Sequence, residues 1–176
     1  MFINKDWVKE KGACTEGFRY FIEHFPEGAE YQSILDVLAK DNQGGYADWL
    51  MKHAGRTDAV LEVDGDLEIE GNLFFAGMIK VSGFIKASLR IKAGSSIEAG
   101  LDIKAGWGIE AGWGIKAGSS IEAGSDIKAG EGIEAGEDYG IYAGLRIRVS
   151  LKAKYALVVA KEMPNNLLLG IFKPRE

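Results

Sequence analysis

The chain has 176 residues, 47% of them hydrophobic, and a formal net charge of −5. That is enough for one or two small domains with a buried core, and the acidic balance argues against a general nucleic-acid binder. Its single cysteine, Cys14, excludes an internal disulfide and suits a reducing compartment, while Met1–Trp7 lacks a signal-peptide run and no stretch approaches a membrane span, so a soluble, cytoplasmic protein is expected.

Residues 1–57 read as a small helical cap domain. Asp6 to Lys11 can form a short helix ended by Gly12. A second helix is predicted from Ala13 to Phe25, where Phe18, Phe21, Ile22 and Phe25 recur at three- and four-residue spacing on one face. Pro26 and Gly28 end it. A third, from Ala29 to Lys40, has Tyr31, Ile34, Leu35 and Leu38 as its apolar stripe. Asp41-Asn42-Gln43-Gly44-Gly45 reads as a loop. A fourth, from Tyr46 to His53, presents Trp49 and Leu50, with Gly55 as its C-terminal cap. Four such short helices need a surface to dock on. The exposed first coil of a solenoid needs a cover, so the bundle is expected over that open end.

Arg56-Thr57-Asp58 is the junction. From Ala59 to Gly71 apolar and acidic residues alternate, with glycine at intervals, as in solenoid sequence before the repeat becomes regular. Leu73 to Met78, with Phe74 and Phe75, reads as a thicker segment and a wider first coil. Then one six-residue phrase takes over. Isoleucine falls at 79, 85, 91, 97, 103, 109, 115, 121, 127 and 133, and from position 93 to 135 an alanine follows two places later and a glycine three. A period of six excludes an α-helix, in which successive isoleucines would scatter around the axis. In a short strand Ile and Ala share one face and the intervening charge takes the other. Glycine then turns the corner, with positive φ as the expected reason for its use. Each hexad is one side of a coil.

The outward charges set the number of sides. They run Lys92, Glu98, Lys104, Glu110, Lys116, Glu122, Lys128, Glu134. With two or four sides per coil, like charges would stack about 4.8 Å apart. With three, Lys92 meets Glu110 and Glu110 meets Lys128, while Glu98, Lys116 and Glu134 form another alternating column. Residues 91–114 and 115–138 differ only at 101/125, 107/131, 113/137 and 114/138. This 24-residue unit is read as a duplication rather than as a four-sided coil. The predicted fold is mainly β: a triangular β-helix of about 18 residues per coil over residues 58–150, behind the helical cap.

After Gly136 the phrase breaks at Glu137 to Gly144. Leu145 to Leu151 reads as a continuous alternating strand, Tyr155 to Ala160 as another, Pro164-Asn165-Asn166 as a turn, and Leu167 to Phe172 as a last strand. Residues 151–176 are expected to close the far end or to form an oligomer contact.

Gly65-Asp66-Leu67-Glu68-Ile69-Glu70-Gly71-Asn72 and Gly77-Met78-Ile79-Lys80-Val81-Ser82-Gly83 resemble bactofilins, polymer-forming bacterial β-helix proteins. The resemblance covers residues 58–150 and implies a right-handed triangular solenoid and self-assembly. A second resemblance spans more of the chain: Gly12-Ala13-Cys14 with Gly17, Tyr46-Ala47-Asp48-Trp49-Leu50, the Ile-Lys/Glu-Ala-Gly run, and Tyr142-Ala143-Gly144-Leu145. This layout is similar to small proteins encoded by phages and prophages. It implies a protein partner in the bacterial host, in its sharpest form a host defence factor held by an anti-CRISPR-like inhibitor.

Catalytic chemistry finds little support. Hexapeptide acyltransferases share the six-residue period, but they place a small residue two before the aliphatic one, where this chain has Leu101, Trp107, Trp113 and Glu131. They also use a histidine base, and no histidine follows His53. Ice binding favours rows of threonine, and the only threonines are Thr15 and Thr57. The nine-residue calcium-binding repeat is absent. His24 and His53 have no partner at metal spacing and read as structural, and Cys14 reads as a buried small hydrophobe. No metal or cofactor is expected. Trp107 and Trp113 stand before Gly108 and Gly114, either as outward partner anchors or as covers folded over their corners. With Tyr139 and Tyr142 they are the candidate partner-binding residues. The expected function is a non-enzymatic interaction scaffold without direct nucleic-acid or membrane contact. Bactofilin-like self-assembly, including a homodimer through end strands, is the alternative, and an acyltransferase is a disfavoured third.

Overall fold

The computed structural model describes residues 1–175 and shows a three-sided β-solenoid flanked by four N-terminal helices. A two-stranded antiparallel sheet, β1 (Phe2–Ile3) with β2 (Ala29–Glu30), ties the start of the chain to the helices. These are α1 (Lys5–Glu10), α2 (Thr15–His24), α3 (Tyr31–Lys40) and α4 (Gly44–Ala54). Gly44 and Gly45 open α4 rather than forming a loop. Ile3, Tyr31, Ile34, Leu35, Leu38, Ala47 and Leu50 form the helical core. Tyr31 is buried to the ring, its hydroxyl donates to the carbonyl of Gly55 at 3.0 Å, and burial pushes its pKa up.

The solenoid strands follow in regular succession: β3 (Val60–Val63), β4 (Leu67–Ile69), β5 (Leu73–Phe75), β6 (Met78–Val81), β7 (Ile85–Ala87), β8 (Ile91–Ala93), β9 (Ile97–Ala99), β10 (Ile103–Ala105), β11 (Ile109–Ala111), β12 (Ile115–Ala117), β13 (Ile121–Ala123), β14 (Ile127–Ala129), β15 (Ile133–Glu134) and β16 (Ile141–Tyr142). Every third strand joins the same parallel sheet. The first face is β3-β6-β9-β12-β15. The second begins β4-β7-β10-β13-β16 and the third β5-β8-β11-β14. Partners lie 18 residues apart, as in Ile109↔Ile127 and Ile109↔Ile91. Each Ile and Ala of the repeat is buried, and together they form one continuous core.

The charge columns follow this register. Lys92 faces Glu110, which faces Lys128, and Lys116 lies between Glu98 and Glu134. Lys92–Glu110, Lys104–Glu122 and Lys116–Glu134 close as ion pairs at 3.1, 3.4 and 3.0 Å. The alternation fails once, where Lys86 and Lys104 are register partners. Each lysine turns away to its own carboxylate: Lys86 pairs with Glu68, and Lys104 reaches Asp102 at 3.1 Å. The Asp102 hydrogen bond, followed by the Glu122 charge, holds Lys104 above the usual lysine pKa despite partial burial.

The repeat glycines serve a different purpose from the one their turn position suggests. Positive φ occurs at Gly65, Gly71, Gly144 and Gly170 within the solenoid, and at none of the hexad glycines. A Cβ on Gly100 would instead lie 2.0 Å from the carbonyl oxygen of Ser82 one coil below, and a Cβ on Gly112 2.1 Å from that of Gly94. Glycine is required there because consecutive coils touch backbone to backbone at the corner.

The helices do not cover the open end. Phe74 points outward from β5, in register with Lys92, and is buried together with Ala76 in the helical core. The bundle therefore docks on the flank of the third face. Leu73 pairs with Ile91 at the ordinary 18-residue offset, so the first coil is not widened. Two polar clamps fix the docking. Gln32 donates to the carbonyl of Phe74 and accepts from the amide of Ala76, at 2.9 and 3.0 Å. Asn72 donates to the carbonyl of Ala39 and to the Asn42 side chain. The interior residues of the first coil, among them Leu61, Leu67 and Phe75, stay half-exposed.

Beyond β16 the chain leaves the coil. Residues predicted to form a strand over Leu145 to Leu151 form a turn and a 3-10 helix, Val149–Leu151, followed by α5 (Lys152–Tyr155). It returns as β17 (Leu157–Ala160), β18 (Leu167–Leu169) and β19 (Ile171–Pro174). The last predicted strand is thus two, cornered at Gly170 with φ of 131°. These strands extend the second and third faces, so the solenoid continues past residue 150 to Pro174.

Candidate interaction surface

The third face is polar and alternating along most of its length, with the helical bundle on its lower part. Just above the bundle lies β11, and the two corners that bound it are Trp107 and Trp113. Both indoles are exposed, at 58% and 48%. One coil away, the corner column of Trp107 holds Leu89 and Ser125, and that of Trp113 holds Ser95 and Glu131. The small serines leave the rings standing proud. Trp113 does not fold over its corner; it is stacked by Arg56, whose Cζ lies 3.9 Å from the ring centroid. The guanidinium at the end of the helical domain thus orients one anchor from outside.

Between the tryptophans runs a charged strip. Lys92 is only 12% exposed and is held between Asp48 of α4, at 2.6 Å, and Glu110, at 3.1 Å. Asp48 also receives the Arg90 guanidinium at 3.1 Å. One carboxylate on the helical domain therefore gathers two cations of the solenoid and locks the two parts at this level. On either side of Glu110 the surface is concave. A notch of about 430 Å³ lies toward the helices, lined by Asp48, Lys52, Arg56 and Lys92, and a dimple of about 80 Å³ lies under Trp107, lined by Arg90, Asp126 and Lys128. Together these linings hold five cations and three carboxylates, a locally basic strip on an acidic chain.

Tyr139 and Tyr142 lie elsewhere. Tyr139 is exposed at the corner between β15 and β16, and Tyr142 is half-buried on the second face in register with Glu122. The residues that sequence spacing does not reveal are Asp48, Arg56 and Arg90. Asp48 meets Arg90 42 positions away only because the bundle docks on this flank.

The remaining candidates have local roles. His24 stacks on Tyr20 at 3.9 Å with Nδ1 2.9 Å from the Tyr20 carbonyl, and His53 Nδ1 lies 2.8 Å from the Trp49 carbonyl. Cys14 is exposed, not buried. It caps α2, its Sγ accepting from the Gly17 amide at 3.3 Å. It borders an apolar cleft of about 390 Å³ in the helical domain, lined also by Tyr20, Phe21, Tyr46 and Trp49. Burial, and then the hydrogen bond that Tyr20 donates to Asp41 at 2.6 Å, push the Tyr20 hydroxyl pKa up. Among the described residues no group of three or more His, Cys, Asp or Glu is placed to hold a metal ion, and no helix is long and apolar enough to cross a membrane.

Residues 1–57 match the family model described as the YdhT N-terminal domain, so the helical domain is similar to that family while the solenoid lies outside the match. No curated protein and no solved structure matches the chain.

Proposed function

We propose that this chain is a non-enzymatic scaffold that holds a protein partner against the third face, with Trp107 and Trp113 as anchors and an acidic patch on the partner meeting the strip between them. The observation that carries this reading is the placement of two exposed indoles on the two corners of one strand, with five cations between and beside them. Large aromatics with a neighbouring arginine are the residue types that dominate binding energy at protein interfaces. A rigid solenoid keeps their spacing fixed and reduces the ordering cost of binding. The resemblance to phage-encoded proteins implies a bacterial host protein as the partner, and an inhibitor of a host defence system as the narrowest form of the function.

The test is capture from a bacterial lysate with the full chain, followed by titration of the recovered partner. Trp107→Ala combined with Trp113→Ala is expected to weaken binding by about thirtyfold or more, the effect of losing at least one hot spot of about 2 kcal/mol. The melting temperature should barely move, since both rings are exposed. Undiminished binding by the double variant removes this face from the reading.

A second reading, self-assembly, is supported by the uncovered first coil. The outer edges of β3 and β4 carry no further strand, and free edges template further pairing, whereas on β5 Gln32 already occupies the Phe74 carbonyl and the Ala76 amide. Residues 58–78 contain acidic side chains and no Lys or Arg, while residues 145–175 are rich in Lys and Arg, so opposite ends of the rod carry opposite charge. Head-to-tail stacking would join them. Light scattering over a concentration series should then show mass rising with concentration and falling back in high salt. A constant monomer mass ends this reading.

A further inference from the structure

The first face is one strand short. Among the described residues it has five strands, and each of its neighbours has six. The gap falls between β17 and β18, where residues 161–166 cross from one face to the next without forming a strand. Their ends are pinned to the corners on either side of β15. The Lys161 amide donates to the carbonyl of Glu131 at 2.8 Å, and Asn166 Nδ2 donates to the carbonyls of Gly136 and Tyr139 at 2.9 and 2.6 Å. Pro164, buried beside the groove, has no amide to offer a ladder. A groove of about 850 Å³ runs along this face from Glu98 and Lys116 to β15 and this segment.

What the groove exposes is a strand edge in register. Ile97 and Ile115 donate their amides to the carbonyls of Gly114 and Gly132 on the next coil, each at 3.0 Å. Ile133 follows them in the same column, but β15 is the last strand of its sheet. We propose that this edge takes an extended segment of a protein partner by strand addition, in the place of the absent sixth strand. The column chemistry specifies the segment. Its inward residues pack on Ile133 and Ala135, so they are aliphatic and small. Its outward residue continues the series Glu98, Lys116, Glu134, so it is a lysine or arginine. Glu137 and Glu162 also line the groove and reinforce the demand for a cation. The same carboxylates repel phosphate, which excludes a nucleic acid. The chain's own residues 161–166 are poor occupants, because the register set by the Lys161–Glu131 hydrogen bond puts Pro164 opposite Glu134, and proline offers neither a cation nor an amide.

The probe is a labelled synthetic peptide of the pattern Gly-Ser-Ser-Ile-Lys-Ala-Gly-Ser, compared with its Ile-Glu-Ala counterpart by fluorescence anisotropy on the full chain. The lysine peptide is expected to bind about tenfold more tightly, and Glu134→Lys should reverse that order. Amide hydrogen exchange at Ile133 and Ala135 should slow when the lysine peptide is bound to the wild-type chain, a readout that does not depend on the variant. Equal affinity for the two peptides, no binding of either, or slowed exchange confined to another surface overturns the proposal. The tryptophan face is the neighbouring third face, and its double variant tests it separately.

Discussion

Gly112→Ala is expected to destabilise the chain by about 3 kcal/mol, the upper end of the usual cost of overpacking, and to lower the melting temperature by about 10 °C. The added methyl carbon would lie 2.1 Å from the carbonyl oxygen of Gly94 and 3.0 Å from its carbonyl carbon. Both are backbone atoms of the coil below, so no side chain can rotate away. The corner must open, and opening it strains the hydrogen bonds that Gly112 and Trp113 donate to Ala93 and Ser95. Gly132 supplies the control. It is also a glycine at a coil corner, but a Cβ there meets nothing within 4 Å and its φ is not positive. Gly132→Ala should therefore be neutral, or stabilise by up to about 1 kcal/mol through loss of unfolded-state freedom. Thermal unfolding of the two variants side by side decides the matter. Equal melting temperatures would show that coil contact is not what selects glycine in the repeat.

The core and winding were legible because they are written in a local period and tested by a second signal. Ile and Ala at a spacing of two assign the inside, and the alternating Lys and Glu admit only an odd number of sides. Both signals hold in the register Ile109↔Ile127 with Glu110↔Lys128. The reason for the glycines was not legible, since a close contact 18 residues away and a positive φ leave the same letter at the same corner. Nor was the docking of the helices. Phe74 reads as one more bulky residue of the first coil, and only its outward direction and burial against α3 show that it is the bundle's seat. The candidate surface inherits this limit. Trp107 and Trp113 stand out in a polar turn column, whereas Asp48 and Arg56 join them through tertiary placement alone. The short first face was hidden as well, because Pro164-Asn165-Asn166 is an ordinary turn sequence until the strands on each face are counted.

Ile109→Asp is expected to disrupt the middle of the solenoid at neutral pH. Ile109 is buried on β11, with Ile91 and Ile127 directly below and above it in the sheet. Removing it forfeits about 1.5–3 kcal/mol of apolar burial. The incoming carboxyl group finds only aliphatic neighbours in the core, and a buried polar group without a partner costs a further 2 kcal/mol or more, roughly. The sum, on the order of 5 kcal/mol, is comparable with the whole stability of a domain of ordinary size. Because each coil touches only its neighbours, the defect should part the rod at its centre. Coils near the helical domain should keep slow amide exchange while those from β11 onward lose it. Ile109→Val, which keeps the branch and loses one methyl group, should cost only about 0.5–1.5 kcal/mol. The pH dependence has a definite sign. Burial raises the carboxyl pKa in the folded state above its unfolded value near 3.9. The ionisation penalty is therefore complete above the raised folded-state pKa and fades as pH falls from there toward about 4, so the deficit relative to wild type should shrink in acid. Urea unfolding of both variants at neutral pH and at about pH 4 measures this directly. A variant with normal stability, or a deficit that grows in acid, would place residue 109 outside the core.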